Sequence, residues 1–512
     1  MDDKIIVTNR AALSAKYGTA GLAKIKKAID TLIAADNKRG IKTRLVYLDQ
    51  AASMKSFKGK AVTVHTSQRQ NKGAIDAIFR ATAPDYLMIL GSIDVVPHQD
   101  MSNPAFGSGD PDKYAYGDLP YACDEPYGRD IANFKGPTRV VGRLPDLTGA
   151  KEPSYIVGLL TTAANYKCRD VTQYGAYFGL STQSWSKSTD ESLFKIFGGS
   201  KALTLAPPRG PKHPVGRLAP LAHFINCHGG TADPNFYGEN QKGTAQPKSL
   251  TSDALKKKIK PGTVAAVECC YGAELYDSIT LALPIPTCQR YLAEGAYGYF
   301  GSSTIAYGPA TGNGAADVIT QEFLLAILGG ASLGNAALTA RQHYAQQTGE
   351  LDPVDLKTLG QFSLLGDPSI VPAKVVSATS VPKGVNIEQS IRQQRHERRT
   401  KLRETGEMLL KTKPTASRKA RKVRKSVTVK KALANIAKEA GFGQNKKFTA
   451  FVVKTPKGAR ARGTKAKPIA SRYYVAIYRP EQQPDSISRP GVAAVAKEVS
   501  GRIIGYRIYT EK

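Results

Sequence analysis

Phe224-Ile225-Asn226-Cys227-His228-Gly229-Gly230 and Val264-Ala265-Ala266-Val267-Glu268-Cys269-Cys270-Tyr271-Gly272 share one plan. A short apolar run, the signature of a buried strand, delivers a residue able to do chemistry and then glycine. About 40 residues separate the two stretches. In a parallel crossover unit both strands point the same way, so the histidine and the cysteine emerge at one sheet edge. An imidazole there can take a thiol proton or lower the thiol pKa. The glycines let backbone N–H groups approach a substrate carbonyl as an oxyanion hole. A single cysteine or histidine at a strand end is ordinarily a core residue. Both, at matching strand ends with flanking glycines, point to a nucleophile and its base.

The same rhythm extends outward. Lys4–Asn9, Lys42–Leu48, Val62–His65, Asp85–Leu90, Val140–Leu144, Ala176–Leu180 and Tyr297–Gly301 read as strands. Helical spacing covers 21–35, 71–82, 155–166, 250–259, 279–293, 315–328 and 333–347. Apolar strands alternating with helices predict an α/β fold, a mostly parallel sheet with helices on both faces. Residues 101–137, rich in Asp, Pro, Gly and Tyr, break the rhythm just past an apolar strand, where open α/β sheets bind ligands.

Charge divides the chain. It has 512 residues and a net charge of +31. Residues 374–512 hold 34 Lys and Arg against 9 Asp and Glu, so the body is close to neutral and the tail strongly basic. Four segments are expected: an N-terminal α/β subdomain over 1–153, a catalytic subdomain over 154–373, a basic linker over 374–447, and a small α+β module over 448–512. In that module 492–499 reads as a helix. Residues 411–431 contain ten Lys and Arg and no acid, a composition suited to nucleic acid or an anionic surface. The N-terminus reads as a strand and no apolar run approaches membrane-spanning length, so the expected compartment is the cytoplasm. Six cysteines in a chain this long make no disulfide framework.

The two quoted stretches resemble the gingipain-type cysteine peptidases, within the caspase-like group that includes caspases, legumains, clostripain and separase. Val141-Gly142-Arg143-Leu144-Pro145 and Leu364-Leu365-Gly366-Asp367-Pro368-Ser369 are similar to that type too. The resemblance covers residues 1–373 and implies a caspase-like fold and endopeptidase activity on protein or peptide substrates. It makes His228 the general base. It makes Cys270 the nucleophile if Cys269 fills the family's small-residue slot; Cys269 is the alternative if the glycine spacing is held. Gly229 and the N–H of Cys270 would form the oxyanion hole. Asp118, Asp124 and Asp130 are candidates for the substrate pocket. The resemblance requires no cofactor, although calcium is common in this type, and Asp118 or Asp124 would help bind it. Gingipains are secreted, whereas this N-terminus shows no export signal, which favours a regulated intracellular enzyme that processes its own basic linker. The competing function is a catalytically inactive caspase-like scaffold with a nucleic-acid-binding tail.

Overall fold

The computed structural model describes residues 2–375, 387–421, 423–442, 447–456, 471–480 and 490–512. Among them, no helix is long and apolar enough to cross a membrane.

The α/β class holds. A ten-stranded sheet runs in the order Thr43–Tyr47, Lys4–Thr8, Tyr86–Leu90, Val141–Leu144, Phe362–Gly366, Gly298–Ser302, Val264–Val267, Ala222–Asn226, Tyr177–Thr182 and Leu203–Ala206. Every neighbouring pair is parallel except Phe362–Gly366 with Gly298–Ser302. The sheet is therefore two five-stranded parallel halves running in opposite directions. The strands that carry the site are buried along their whole length, as the unbroken Val/Ala/Ile/Phe runs require. Arg10–Lys38, Ser154–Ala164 and Thr287–Ala293 pack as one helical layer. Ser186–Phe197, Ala316–Leu328, Leu333–Gln347 and Ile387–Thr412 pack as another.

A second, antiparallel sheet has six strands: Tyr307–Gly308, Arg502–Glu511, Val492–Val499, Ser471–Tyr478, Thr449–Lys454 and Thr415–Lys419. Its first strand belongs to the α/β body. Helix Val427–Glu439 covers one face, burying Val429, Leu433 and Ile436 against Tyr474, Ala476 and Ala494.

These contacts correct several expectations. The basic stretch is not a linker throughout, because Thr415–Lys419 is a strand and apolar residues at helical spacing dock the helix after it. Val492–Val499 is a strand, not a helix: pairing on both sides outweighs the helix preference of its alanines. The connection between the histidine and cysteine strands is a three-stranded ribbon, His228–Gly229, Asn235–Tyr237 and Lys248–Thr251, followed by a short 3₁₀ turn at Asp253–Leu255, in place of a helix over 250–259. The helix expected over 279–293 is confined to Thr287–Ala293. Residues 62–65 form no strand.

Candidate active site

Four adjacent parallel strands end at one edge, and each contributes to the same place. Tyr177–Thr182 is followed by Trp185, Ala222–Asn226 by His228, Val264–Val267 by Glu268, Cys269 and Cys270, and Gly298–Ser302 by Ala306. His223 pairs with Ala265 and Ile225 with Val267, so the register carries His228 and Cys270 to one level. A Cβ on Gly229 would lie 2.0 Å from the Cys270 carbonyl oxygen, so only glycine allows the two turns to approach.

The paired cysteines diverge. Cys269 is fully buried next to Cys227, among core tyrosines that include Tyr291 and Tyr299. Cys270 is 3% exposed and lines a cleft of about 560 Å³ together with His228, Gly229, Tyr271, Ile305, Arg479, Glu511 and Lys512. The Cys270 thiol donates to the Ala306 carbonyl (3.5 Å) and accepts from the Ala306 N–H (3.3 Å). Burial, and then the Glu511 carboxyl, push this thiol well above its ordinary range. In this arrangement it is a neutral thiol. Just after it Tyr271 takes φ 54°, a left-handed conformation, with its hydroxyl donating to Asp112 (2.7 Å).

His228 packs edge-on against Trp185, ring centroids 4.3 Å apart. Its Nε2 faces Glu239 at 3.6 Å. Glu239 accepts from Ser184 Oγ (2.5 Å) and from Gln246 Nε2 (3.2 Å). Burial alone would raise the Glu239 pKa, but His228 and these donors hold it below the usual carboxylate range. The hydrogen-bonded carboxylate is thus set to orient the imidazole and support its charge. No hydrogen bond joins His228 to Cys270 among the described residues.

The cleft is filled from the six-stranded sheet. Thr510 and Glu511 pair with Gly308 and Tyr307. The Lys512 N–H donates to the Ala306 carbonyl (3.0 Å), and the Cys270 N–H donates to the Lys512 backbone oxygen (2.9 Å).

The three candidate pocket residues lie elsewhere, and that expectation is corrected. Arg143 clasps Asp118 through Nε (2.9 Å) and Nη2 (2.6 Å), holding its carboxyl below the usual range although burial alone would raise it. Asp124 accepts from Arg139 Nε (2.9 Å). Asp130 caps a 3₁₀ turn by accepting from the Ala132 N–H (3.1 Å). The loop over 101–137 reaches the site through other acids: Asp112 accepts from the Tyr271 hydroxyl (2.7 Å) and the Ile305 N–H (2.9 Å). Asp118 and Asp124 already have guanidinium partners, which does not suit a calcium ligand. Among the described residues no group of three or more His, Cys, Asp or Glu is arranged to hold a metal ion.

Glu239 and Trp185 were not legible in the sequence. Neither lies within a motif: Trp185 follows the neighbouring strand Tyr177–Thr182, and Glu239 follows the ribbon strand Asn235–Tyr237.

No family model matches the chain, and neither does any curated protein. The chain is similar to a solved protease structure at 14% identity and TM-score 0.47, over 99% of this chain and 96% of that one. Two structures of the separase–securin complex of Saccharomyces cerevisiae match at 15% and 14% identity, with TM-scores of 0.29 and 0.27. They cover 46% and 48% of this chain and 14% of the matched chain in each case. Similarities this low leave the chemistry to be read from the site itself.

Proposed function

We propose that this protein is a cysteine peptidase of the gingipain type, with Cys270 as nucleophile and His228 as its base. One observation carries the proposal. The chain's own last strand lies extended along Tyr307–Gly308, with the Lys512 backbone oxygen on the N–H of Cys270, in a cleft walled by Cys270 and His228.

The chemistry follows from the placement. With Nε2 turned to Glu239, Nδ1 is the ring nitrogen that takes the Cys270 proton. The thiolate attacks the carbonyl carbon of a bound peptide, and the Cys270 N–H stabilises the developing oxyanion. The imidazolium then gives its proton to the leaving amine, and a thioester remains on Cys270. Water, deprotonated by His228, hydrolyses the thioester, releases the acid and restores the thiol. The buried thiol beside Glu511 is a resting form, and withdrawal of the last strand removes both that carboxyl and much of the burial.

A panel of fluorogenic peptides tests this. Turnover should be lost in Cys270→Ala and retained in Cys269→Ala. Loss in Cys269→Ala alone would reassign the nucleophile, and no turnover of any peptide by a variant with its last strand displaced would refute the proposal. Self-processing within residues 411–431 would appear on a denaturing gel as two fragments, absent in Cys270→Ala. Because Thr415–Lys419 is held in the sheet, such cleavage requires that segment to open first.

A further inference from the structure

The basic tail has two parts that use their charge differently. In helix Ile387–Thr412 the arginines are taken up locally. Arg395 lies 3.7 Å from Asp3 and from Asp85, Arg399 2.9 Å from Asp85, and Arg403 2.9 Å from Glu407. Beyond that, no acid occurs between Glu407 and Glu439. Arg418 on the edge strand Thr415–Lys419, Arg421 and Arg424 in the segment after it, and Lys430, Lys431 and Lys438 on helix Val427–Glu439 are all exposed. Among the described residues none of these six forms an ion pair, whereas Lys411 and Arg472 to either side each have a glutamate. Lys425 differs from the six, since its Nζ donates inward to the Phe448 carbonyl (3.3 Å). The helix buries Val429, Leu433 and Ile436 against the six-stranded sheet. At about 3.6 residues per turn, Lys431 and Lys438 then stand opposite that face, about 10 Å apart along the axis, with Lys430 on its flank. Cations gathered on one surface without acids among them raise its potential and attract a polyanion.

Two features select the polyanion. The apolar face of the helix is already occupied by the sheet, so the helix has none left to lay into a lipid bilayer. The tyrosines of the module are turned to other uses than base stacking: Tyr473, Tyr474 and Tyr509 are buried, Tyr506 donates to Glu439 (2.7 Å), and Tyr478 packs against Phe442. Phosphate contacts remain, and a duplex supplies them densely, one charge per about 1.7 Å of axis. We propose that Arg418, Arg421, Arg424, Lys430, Lys431 and Lys438 bind the phosphate backbone of a nucleic-acid duplex without regard to its sequence. Helix Ile387–Thr412 takes no part, because its arginines hold it to the α/β body. The surface is independent of the peptidase chemistry and concentrates the chain on the polyanion whatever Cys270 does.

The test uses the full chain, a fluorescent DNA duplex of about 20 base pairs, and anisotropy titrations between about 50 and 200 mM salt. Over that range the wild type should lose about a thousandfold in affinity, a log–log slope near about −5 for six phosphate contacts. Replacing Lys430→Gln, Lys431→Gln and Lys438→Gln together should flatten the slope by about 3 and weaken binding at least ~10-fold at the lower salt. The same charge removed at exposed lysines of the α/β body, Lys24→Gln, Lys27→Gln and Lys60→Gln, should leave slope and affinity close to wild type. A second duplex of unrelated sequence should bind equally well. Should the helix triple fail to fold, Arg418→Gln, Arg421→Gln and Arg424→Gln together provide the second variant, with the same expected flattening. Absence of binding at the lowest salt, a slope unmoved by these variants, or an equal loss in the body triple would overturn the proposal. A marked preference for one duplex sequence would overturn the backbone reading, and tighter binding to phosphatidylserine vesicles than to the duplex would overturn it in favour of a lipid surface.

Discussion

The two halves of the ten-stranded sheet treat their buried charges differently. In the first half several buried acids have a cation from the same fold. Lys4 bridges Asp36 and Asp367, and Arg143 holds Asp118. In the second half, Glu268 and Asp317 wait for Lys512 from a distant strand, and His228 Nε2 has only a loose contact with Glu239. Charges that satisfy one another hold a structure together. Charges that the body leaves uncompensated tie a distant strand to it.

The contrast can be broken by mutation. The largest effect belongs to the second half: once the last strand is displaced, Cys270→Ala should lower peptide hydrolysis at least ~10³-fold, with a melting temperature close to that of the parent. A parallel collapse in stability would make Cys270 a core residue instead. Next comes the first half. Arg143→Leu leaves a buried carboxylate unpaired and should cost about 3–5 kcal/mol in chemical denaturation. Asp317→Asn should cost less than half of that, and an equal cost would erase the distinction between the halves.

A smaller effect sharpens the comparison through pH. His98 lies 3.9 Å from Asp118. Burial lowers its pKa to about 4, with Asp118 opposing and Arg143 assisting the shift. The unfolded histidine, titrating near 6.5, binds the proton first. Stability from a neutral His98 is therefore complete above pH 6.5 and lost as pH falls towards 4. The slope should reach up to ~1.4 kcal/mol per pH unit in urea melts. His98→Gln should flatten that slope, and an unchanged slope would place the acid sensitivity elsewhere. The smallest effect is expected at Glu239→Gln. It should slow peptide hydrolysis about tenfold and change stability by less than ~1 kcal/mol, since it weakens support for the imidazolium without removing the base.

What the sequence revealed and what it hid follow from the range of each interaction. Phe224–Asn226 and Val264–Val267 announced themselves because a strand buried on both faces must be continuously apolar, and the residues just after them were legible for that reason. The Cys269/Cys270 ambiguity needed backbone direction, since adjacent side chains leave a strand end on opposite sides. The composition of their loop suggests Asp118, Asp124 and Asp130 for the site, but nothing local says that Arg143, Arg139 and the Ala132 N–H engage these three while Asp112 of the same loop reaches Tyr271. Asp317 was invisible for a related reason. It opens a helix far along the chain and reaches Glu268 only through strand order. Glu268, by contrast, lay inside the quoted motif and went unread as a partner of Lys512 because nothing local said which way it pointed.

The Lys512 strand also has a consequence for affinity. A ligand tethered to its own receptor acts at an effective concentration in the millimolar range for short flexible links. A free peptide at micromolar concentration must then bind about a thousandfold more tightly than the resident strand to share the site equally. Weak peptides would be excluded by mass action alone, and any partner that draws Arg502–Glu511 out of its sheet would raise the apparent affinity for every substrate by the same factor.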